Sequence, residues 1–255
     1  MHILLTNDDG FDAPGLMALH RAIDRVHRIT VVAPRGQRST CGHASTLAGP
    51  VDVQQVTHDL LGDVFTVAGT PVDCVRLGVA ELADGPVDCV VSGINQGANV
   101  SVVDVAQSGT VAAAREAAFC GIRGIAVSQM YRKNVDTDWD GASRLVSRLL
   151  PQLLDVAVPA SCFWNVNLPC LLPGEEPAGV RLLPASTDQI PLVFTSEDAP
   201  SSRERTYHYR GVYSARTISP GTDVAAVFEN EIAVTPMMID PTDKTILSRE
   251  IKLAL

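Results

Sequence analysis

The sequence predicts a parallel, doubly wound α/β sheet followed by a smaller β-rich extension. Three observations predict it. Short apolar runs recur through the first two-thirds of the chain, each ending in a polar or Gly-containing loop that leads into a helical pattern. The 255 residues, 46% hydrophobic and 19% charged, suffice for one large domain with a buried core and do not read as disorder. After Pro169 the composition shifts, and 170–220 is rich in Pro, Ser, Glu and Arg with short strand signals and no clear helix. The expected division is a core over 1–169 and an extension over 170–255.

The first unit organises the rest. Ile3-Leu4-Leu5 reads as a buried strand that stops at Thr6-Asn7-Asp8-Asp9-Gly10. Ala13-Pro14-Gly15 then leads into Leu16, Met17, Leu19, Ala22, Ile23 and Val26 at helical spacing. Asp8 and Asp9 therefore stand at the carboxyl end of a strand, where open α/β sheets bind ligands. Adjacent like charges repel, and one protonates unless a cation neutralises the pair. A hard divalent cation with oxygen ligands is the simplest neutraliser. The alternative is that one Asp only caps the following helix.

Ile29-Thr30-Val31-Val32-Ala33 is the second strand, ending at Pro34-Arg35-Gly36-Gln37-Arg38-Ser39-Thr40. Arg35 and Arg38 suit phosphate recognition, because the planar guanidinium matches two oxygens; an ordinary solvated loop is the alternative. Val51 to Val56 and Val64 to Ala68 read as strands. Gly69-Thr70-Pro71-Val72-Asp73 is a helix start, with Thr70 as cap and Pro71 at the first helical position, and the helix is expected to run through Leu82.

Val87 to Val91 is another strand, followed by Ser92-Gly93-Ile94-Asn95-Gln96-Gly97-Ala98-Asn99 as a loop. Asn95 and Asn99 offer neutral oxygen ligands there, although Asn and Gly are also plain turn residues. Ser108-Gly109-Thr110 opens an Ala-rich helix over 111–119, and a helix start is a ready phosphate site through its free N–H groups and dipole, or simply a capped end. Ile125 to Ser128 is a strand, Asp138 to Leu154 an amphipathic helix with a break expected at Pro151, and Phe163 to Pro169 a further strand. In the extension, Leu182-Leu183, Leu192-Val193-Phe194 and Thr206 to Tyr213 are short strand signals. Thr222 to Phe228 is a capped helix, and Ile232 to Pro236 returns as a strand, at a sheet edge because of Pro236.

The bulk numbers exclude some partners. A net charge of −9 disfavours a nucleic-acid duplex, and 5% aromatic residues leave little material for base-stacking platforms. A small phosphate ester stays open, since one bound metal inverts the local field. Cys41, Cys74, Cys89, Cys120, Cys162 and Cys170 form no C-x-x-C pair and read as free thiols, not a zinc site. The chain enters a strand without a signal-peptide pattern, and no apolar run approaches a membrane span of about 18 residues, so a reduced, cytoplasmic protein away from membranes is expected. Two carboxylates, a hydroxyl, amides, a helix start and nearby Arg at strand ends together fit metal-assisted hydrolysis of a phosphate ester.

The chain resembles the stationary-phase survival protein family SurE, the 5′/3′-nucleotidases. The resemblance rests on Ile3 to Gly10 with Ala13-Pro14-Gly15, Ala33-Pro34 through Arg38-Ser39, Gly69-Thr70-Pro71 with Asp73-Cys74-Val75, and Val91 to Asn95 with Gly97 and Asn99. It continues in Ser108-Gly109-Thr110-Val111, Asn165-Val166-Asn167 with Pro169, and Thr222-Asp223 before Val234-Thr235-Pro236. It implies a Rossmann-like domain whose C-terminal portion exchanges between subunits of a homodimer, or of a dimer of dimers. It implies one divalent cation, magnesium or manganese, held by Asp8, Asp9, Ser39 and Asn95, and phosphate contacts from Asn99, Ser108, Gly109 and Thr110. The implied activity is hydrolysis of nucleoside monophosphates. The stretch Val100 to Gln107 departs from the family pattern, being one residue longer and lacking the Tyr before the Ser, which bears on the substrate-side wall.

The expected chemistry is attack of a metal-activated water on phosphorus, with one Asp on the metal and the other orienting or deprotonating the water. An aspartyl-phosphate route is the competing chemistry. A non-catalytic nucleotide sensor on the same fold is the rival function, disfavoured because a binder needs no paired carboxylates. A nucleotide-dependent oxidoreductase is disfavoured because Gly10 to Gly15 lacks the G-x-G-x-x-G spacing.

Overall fold

The structure is a computed structural model describing residues 1–23, 26–197 and 205–248. The elements of the core are β1 (His2–Thr6), α1 (Pro14–Ile23), β2 (Arg28–Pro34), β3 (Val53–His58), β4 (Gly62–Val67), α2 (Pro71–Leu77), β5 (Cys89–Gln96), α3 (Ser101–Gln107), α4 (Gly109–Phe119), β6 (Arg123–Gln129), α5 (Trp139–Asp155) and β7 (Cys162–Leu168). The extension adds β8 (Val180–Leu182), β9 (Phe194–Glu197), β10 (Thr206–Tyr209), α6 (Asp223–Phe228), β11 (Ile232–Met238) and α7 (Lys244–Leu247).

Nine strands form one sheet in the order β3-β4-β2-β1-β5-β6-β7-β11-β8. The six central strands from β4 to β7 are parallel, while β3 runs against β4, and β11 runs against β7 and parallel to β8. Because the central strands are buried on both faces, they read as continuous apolar runs. Successive residues nonetheless serve opposite layers. Ile3, Leu5 and Val91 pack with Leu16, Leu19, Leu145 and Leu149 of α1 and α5. Leu4, Val32 and Val90 pack with Val75, Ala113 and Ala117 of α2 and α4. Strand order runs outward from β1 through β2 to β4 on one side, and from β5 through β6 to β7 on the other. The boundary between β1 and β5 is thus the topological switch point, where a crevice opens beyond the carboxyl ends of the strands.

Some elements differ from expectation. α5 runs through Pro151 without a break, because Leu149, Leu150, Leu153 and Leu154 on either side of it are all buried and that burial holds the helix together. The helix after Thr70 is α-helical only to Leu77 and continues over Gly78–Leu82 as a π-turn. β5 runs on to Gln96 with a register shift between Ser92 and Asn95, so Asn95 lies on a strand and not in a loop. α3 occupies the stretch that departs from the family pattern. β11 is not an outer edge: it pairs with β7 along its length and with β8 over Ile232 to Val234, and Pro236 lies beyond the reach of β8, where no donor is missed. β8 and β11 belong to the main sheet, and only the β9–β10 hairpin stands apart. Among the described residues no helix is long and apolar enough to cross a membrane.

Candidate functional site

The loop after β1 is built around Asn7, which is fully buried. Its side chain donates to Gly10 O (2.8 Å) and accepts from Gly10 N (3.2 Å), closing a tight turn that Gly10 completes at φ +105°. That turn fixes Asp8 and Asp9. The loop after β2 is tied to it by Phe11 N–H to Pro34 O (3.0 Å) and Arg38 N–H to Asp8 O (2.7 Å). The loop carrying Ser39 is pinned again further on. Thr46 donates to Asp73 through its amide (2.8 Å) and its hydroxyl (2.9 Å), and Gly42 N–H donates to Gln107 O (2.9 Å). Asp73 also closes the capping box with Thr70, so one carboxylate holds both a helix start and a site loop.

These loops, the end of β5 and the start of α4 enclose a cavity of about 220 Å³. Asp8, Asp9, Ser39, Asn95, Asn99 and Ser108 all line it. Asn95 donates its amide N–H to Gly97 O (2.6 Å), which leaves the amide oxygen as its acceptor for a ligand. Asn99 is clamped by β6 and β7. Its amide N–H donates to Ser128 (2.8 Å), its backbone N–H to Asn167 (2.7 Å), and its carbonyl accepts from Asn165 (2.8 Å) and Asn167 (3.2 Å). Ser108 caps α4 by accepting from Val111 N–H (3.1 Å).

Gly109 and Thr110 stand behind the carboxylates and do not line the cavity. The Thr110 hydroxyl donates to Asp8 Oδ1 at 2.5 Å. A Cβ on Gly109 would sit 2.9 Å from Asp8 Cβ, so only glycine lets α4 approach this closely. Arg35 and Arg38 are exposed and also outside the lining. The cation near the site is Arg216, which had no signal in the sequence; Gln37, Gln96, Asp104, Gln107 and Tyr213 line the cavity and were likewise not singled out. His43 does not face the site: it pairs with Glu116 (2.9 Å), which also takes Arg76 (2.6 Å).

Among the described residues neither carboxylate has an ion-pair partner. Asp8 is 5% exposed, and burial pushes its carboxyl up to about 6, with the Asp9 charge adding to the rise and the Thr110 hydroxyl opposing it. Burial raises Asp9 as well, against the hydrogen bond from Gln96 N–H (3.3 Å). Among the described residues no three His, Cys, Asp or Glu side chains form a metal cluster. The donors gathered here are two carboxylates completed by neutral hydroxyl and amide oxygens, a set suited to a hard cation and not to zinc.

The chain is similar to proteins of one family. The family described as survival protein SurE matches residues 3–190. A protein named 5′-nucleotidase SurE from Desulfatibacillum aliphaticivorans is 42% identical over 98% of this chain and 96% of its own. Another of that name from Geobacter sulfurreducens is 40% identical over 97% of this chain and 92% of its own. The crystal structure of the SurE protein from Aquifex aeolicus superimposes with a TM-score of 0.84 at 31% identity, covering 97% of each chain.

Proposed function

Because the chain belongs to the survival protein SurE family, we propose that it hydrolyses nucleoside monophosphates to nucleoside and phosphate with the help of a divalent cation. Its similarity over nearly its whole length to proteins named 5′-nucleotidase supports the reaction class. The observation that carries the site assignment is the gathering of Asp8, Asp9, Ser39, Asn95, Asn99 and Ser108 on one cavity at the switch point.

Asp8, Asp9, Ser39 and Asn95 are the residues that would hold the cation, and their oxygen donors suit magnesium or manganese. Such a cation, when bound, polarises phosphoryl oxygens and lowers the pKa of a coordinated water. The chain's own groups then divide the remaining work. Asn99 and Ser108 hold the phosphate, and the start of α4 at Gly109 and Thr110 offers its positive dipole end to the phosphoryl oxygens. Thr110 fixes the Asp8 carboxylate through Oδ1, and one of the two carboxylates also orients the attacking water or takes its proton.

The extension is read as the part exchanged between subunits of a homodimer. Leu192, Val193, Phe194, Tyr207 and Tyr209 on and beside the β9–β10 hairpin are exposed, an apolar surface that a second copy would cover. Six free cysteines support a reducing, cytoplasmic setting.

The test is phosphate release from a panel of nucleoside 5′- and 3′-monophosphates after EDTA treatment, with magnesium, manganese or calcium restored. Release that returns with one metal is the expected result. Calorimetric nucleotide binding without release under any metal would replace this reading with a non-catalytic sensor. A phosphorylated Asp8 or Asp9 trapped during turnover would replace the water route with an aspartyl-phosphate one.

A further inference from the structure

Ser39 is held less directly than the other candidate cation ligands. Asp8 and Asp9 are fixed by the Asn7 turn, and Asn95 lies on β5. Ser39 stands exposed in the loop after β2, and its hydroxyl accepts from its loop neighbour Gln37 (2.9 Å). Beyond it the chain turns through Thr40 and Gly42, both at positive φ (+57° and +56°), and runs along α4. A Cβ on Gly109 would lie 3.1 Å from Cys41 Sγ, and His43 reaches Glu116, about two turns further along that helix. Glu116 is buried and takes partners from two other segments. His43 Nε2 donates to one carboxylate oxygen (2.9 Å), and Arg76 Nε of α2 donates to the other (2.6 Å). Burial pushes the Glu116 carboxyl up, but the hydrogen bonds from His43 and Arg76 prevail and hold it below its ordinary value. The His43 ring also packs edge-on against Phe119, with centroids 5.5 Å apart. Helix packing does not need this carboxylate, since α2 and α4 already meet through Val75, Ala113 and Ala117. Against an apolar contact of the same size, a buried ion pair adds little stability. What it adds here is a fixed distance between loop and helix.

We propose that His43 and Glu116 are positioning residues: together they form a strut that sets the cation affinity of the site by holding Ser39 within reach of Asp8 and Asp9. The inference rests on the phosphatase reading, in which Ser39 is a cation ligand, and goes further by naming two residues outside the cavity on which that ligand depends. Neither His43 nor Glu116 lines the cavity, so both act through the loop. Three residues separate His43 from Ser39. Gly42 N–H fixes that stretch against the end of α3 through Gln107 O (2.9 Å), and His43 is its side-chain anchor on α4. Because α4 opens with Ser108 and Thr110, the strut ties a cation ligand to the helix that bears the proposed phosphate contacts. Groups behind a metal ligand that orient it are worth about 10–100-fold in metal affinity.

The experiment is calorimetric titration of Mn²⁺ into the metal-stripped full chain, as parent, His43→Ala, His43→Gln and Arg76→Ala, with hydrogen exchange of residues 39–44 followed alongside. His43→Ala is expected to weaken Mn²⁺ binding about tenfold, the lower end of what such groups contribute, and to speed exchange in 39–44. His43→Gln, whose amide can still donate to Glu116, is expected to recover affinity to within about threefold of the parent. Arg76→Ala removes the other partner of Glu116 without touching the loop, so it is expected to lower the urea midpoint and leave Mn²⁺ affinity as in the parent. Parent-like affinity in His43→Ala overturns the proposal. An equal loss in Arg76→Ala overturns it too, as general loosening, and so does a loss in His43→Ala without faster exchange in the loop. If His43→Ala does not fold by circular dichroism, His43→Phe keeps the ring against Phe119 without the donor and is held to the same tenfold loss. If the parent binds no Mn²⁺, the cation reading of the cavity fails and the strut falls with it. If the parent binds Mn²⁺ but releases no phosphate, the phosphatase reading fails alone, and the affinity ratio still decides the strut.

Discussion

The Asp8 cavity and a cavity of about 370 Å³ beside it, lined by Tyr213 and Arg216, are held by different kinds of structure. Around Asp8 the anchors come from the sheet and what packs on it: Asn7 closes onto Gly10, Arg38 N–H reaches Asp8 O from the loop after the neighbouring strand, and Thr110 comes off a helix packed against the sheet. Around Tyr213 the wall is assembled from a short helix and a segment more than a hundred residues later, joined by Asp104, Tyr213 and Arg216. Asp8 and Asp9 stand where the sheet fixes them, and the neighbouring cavity where the extension packs against α3. Rigid strand ends give positional precision, and loosely attached segments tolerate change.

The largest expected effect lies on the rigid side. Asp8→Asn should lower metal-dependent phosphate release by about 10²–10⁴-fold, and a metal titration should show no recovery at saturating cation. Turnover with a normal metal response would remove Asp8 from the site. Gly109→Ala comes next. Its Cβ would meet Asp8, and a shift of roughly 1 Å can cost on the order of 10²-fold; a folded variant with parent-like kcat would show that α4 has room to give. On the side of the neighbouring cavity, Arg216→Ala removes the cation from the Tyr213 ring and leaves Asp104 with the Tyr213 hydroxyl alone, and KM for AMP should rise about threefold to tenfold with kcat kept. A collapse of kcat instead would mean that the extension also positions the carboxylates.

Asp73 gives a pH-dependent test of the loop carrying Ser39. Burial pushes its carboxyl up, but the hydrogen bonds from Thr70 and Thr46 prevail and hold it below 3.8. A folded value below the unfolded one means stability that is present above the unfolded value and lost as pH falls through the folded one. The urea midpoint of Asp73→Asn should lie below that of the parent near pH 7, and the gap should close at acid pH. The smallest effect is expected at the exposed Arg148–Glu176 pair, where Arg148→Ala should change stability by less than about 1 kcal/mol in urea unfolding.

The contrast between the two regions also marks what the sequence makes legible. Apolar runs that end in polar residues locate β1, β2 and β5, and the parallel order follows from the alternation with helices. Asp8, Asp9, Ser39, Asn95, Asn99 and Ser108 were readable because a strand end is a local pattern. The wall was not. α3 is Ser-Val-Val-Asp-Val-Ala-Gln, rich in β-branched residues that disfavour helix, and it opens at Ser101 with φ +64°. What holds that start is the buried Asp223, which accepts from Ser101 N–H (2.9 Å) and Ser186 N–H (2.8 Å). Pairings of that separation leave no periodicity to read. Thr110 illustrates the same limit, since its motif gives its position but not that its hydroxyl turns toward Asp8, 102 residues away.

The Asp223 tie also sets an order in time. Ser101 and Asp223 are 122 residues apart, and synthesis at about 5–20 residues per second separates them by roughly 6–25 s. During that interval the nascent chain already carries β1, β5 and both carboxylates, but the amide that opens α3 still lacks its anchor. A ribosome-bound fragment ending before Asp223 would have the cleft's floor without the carboxylate that anchors the opening of α3, so the floor can form before the wall beside it is fixed.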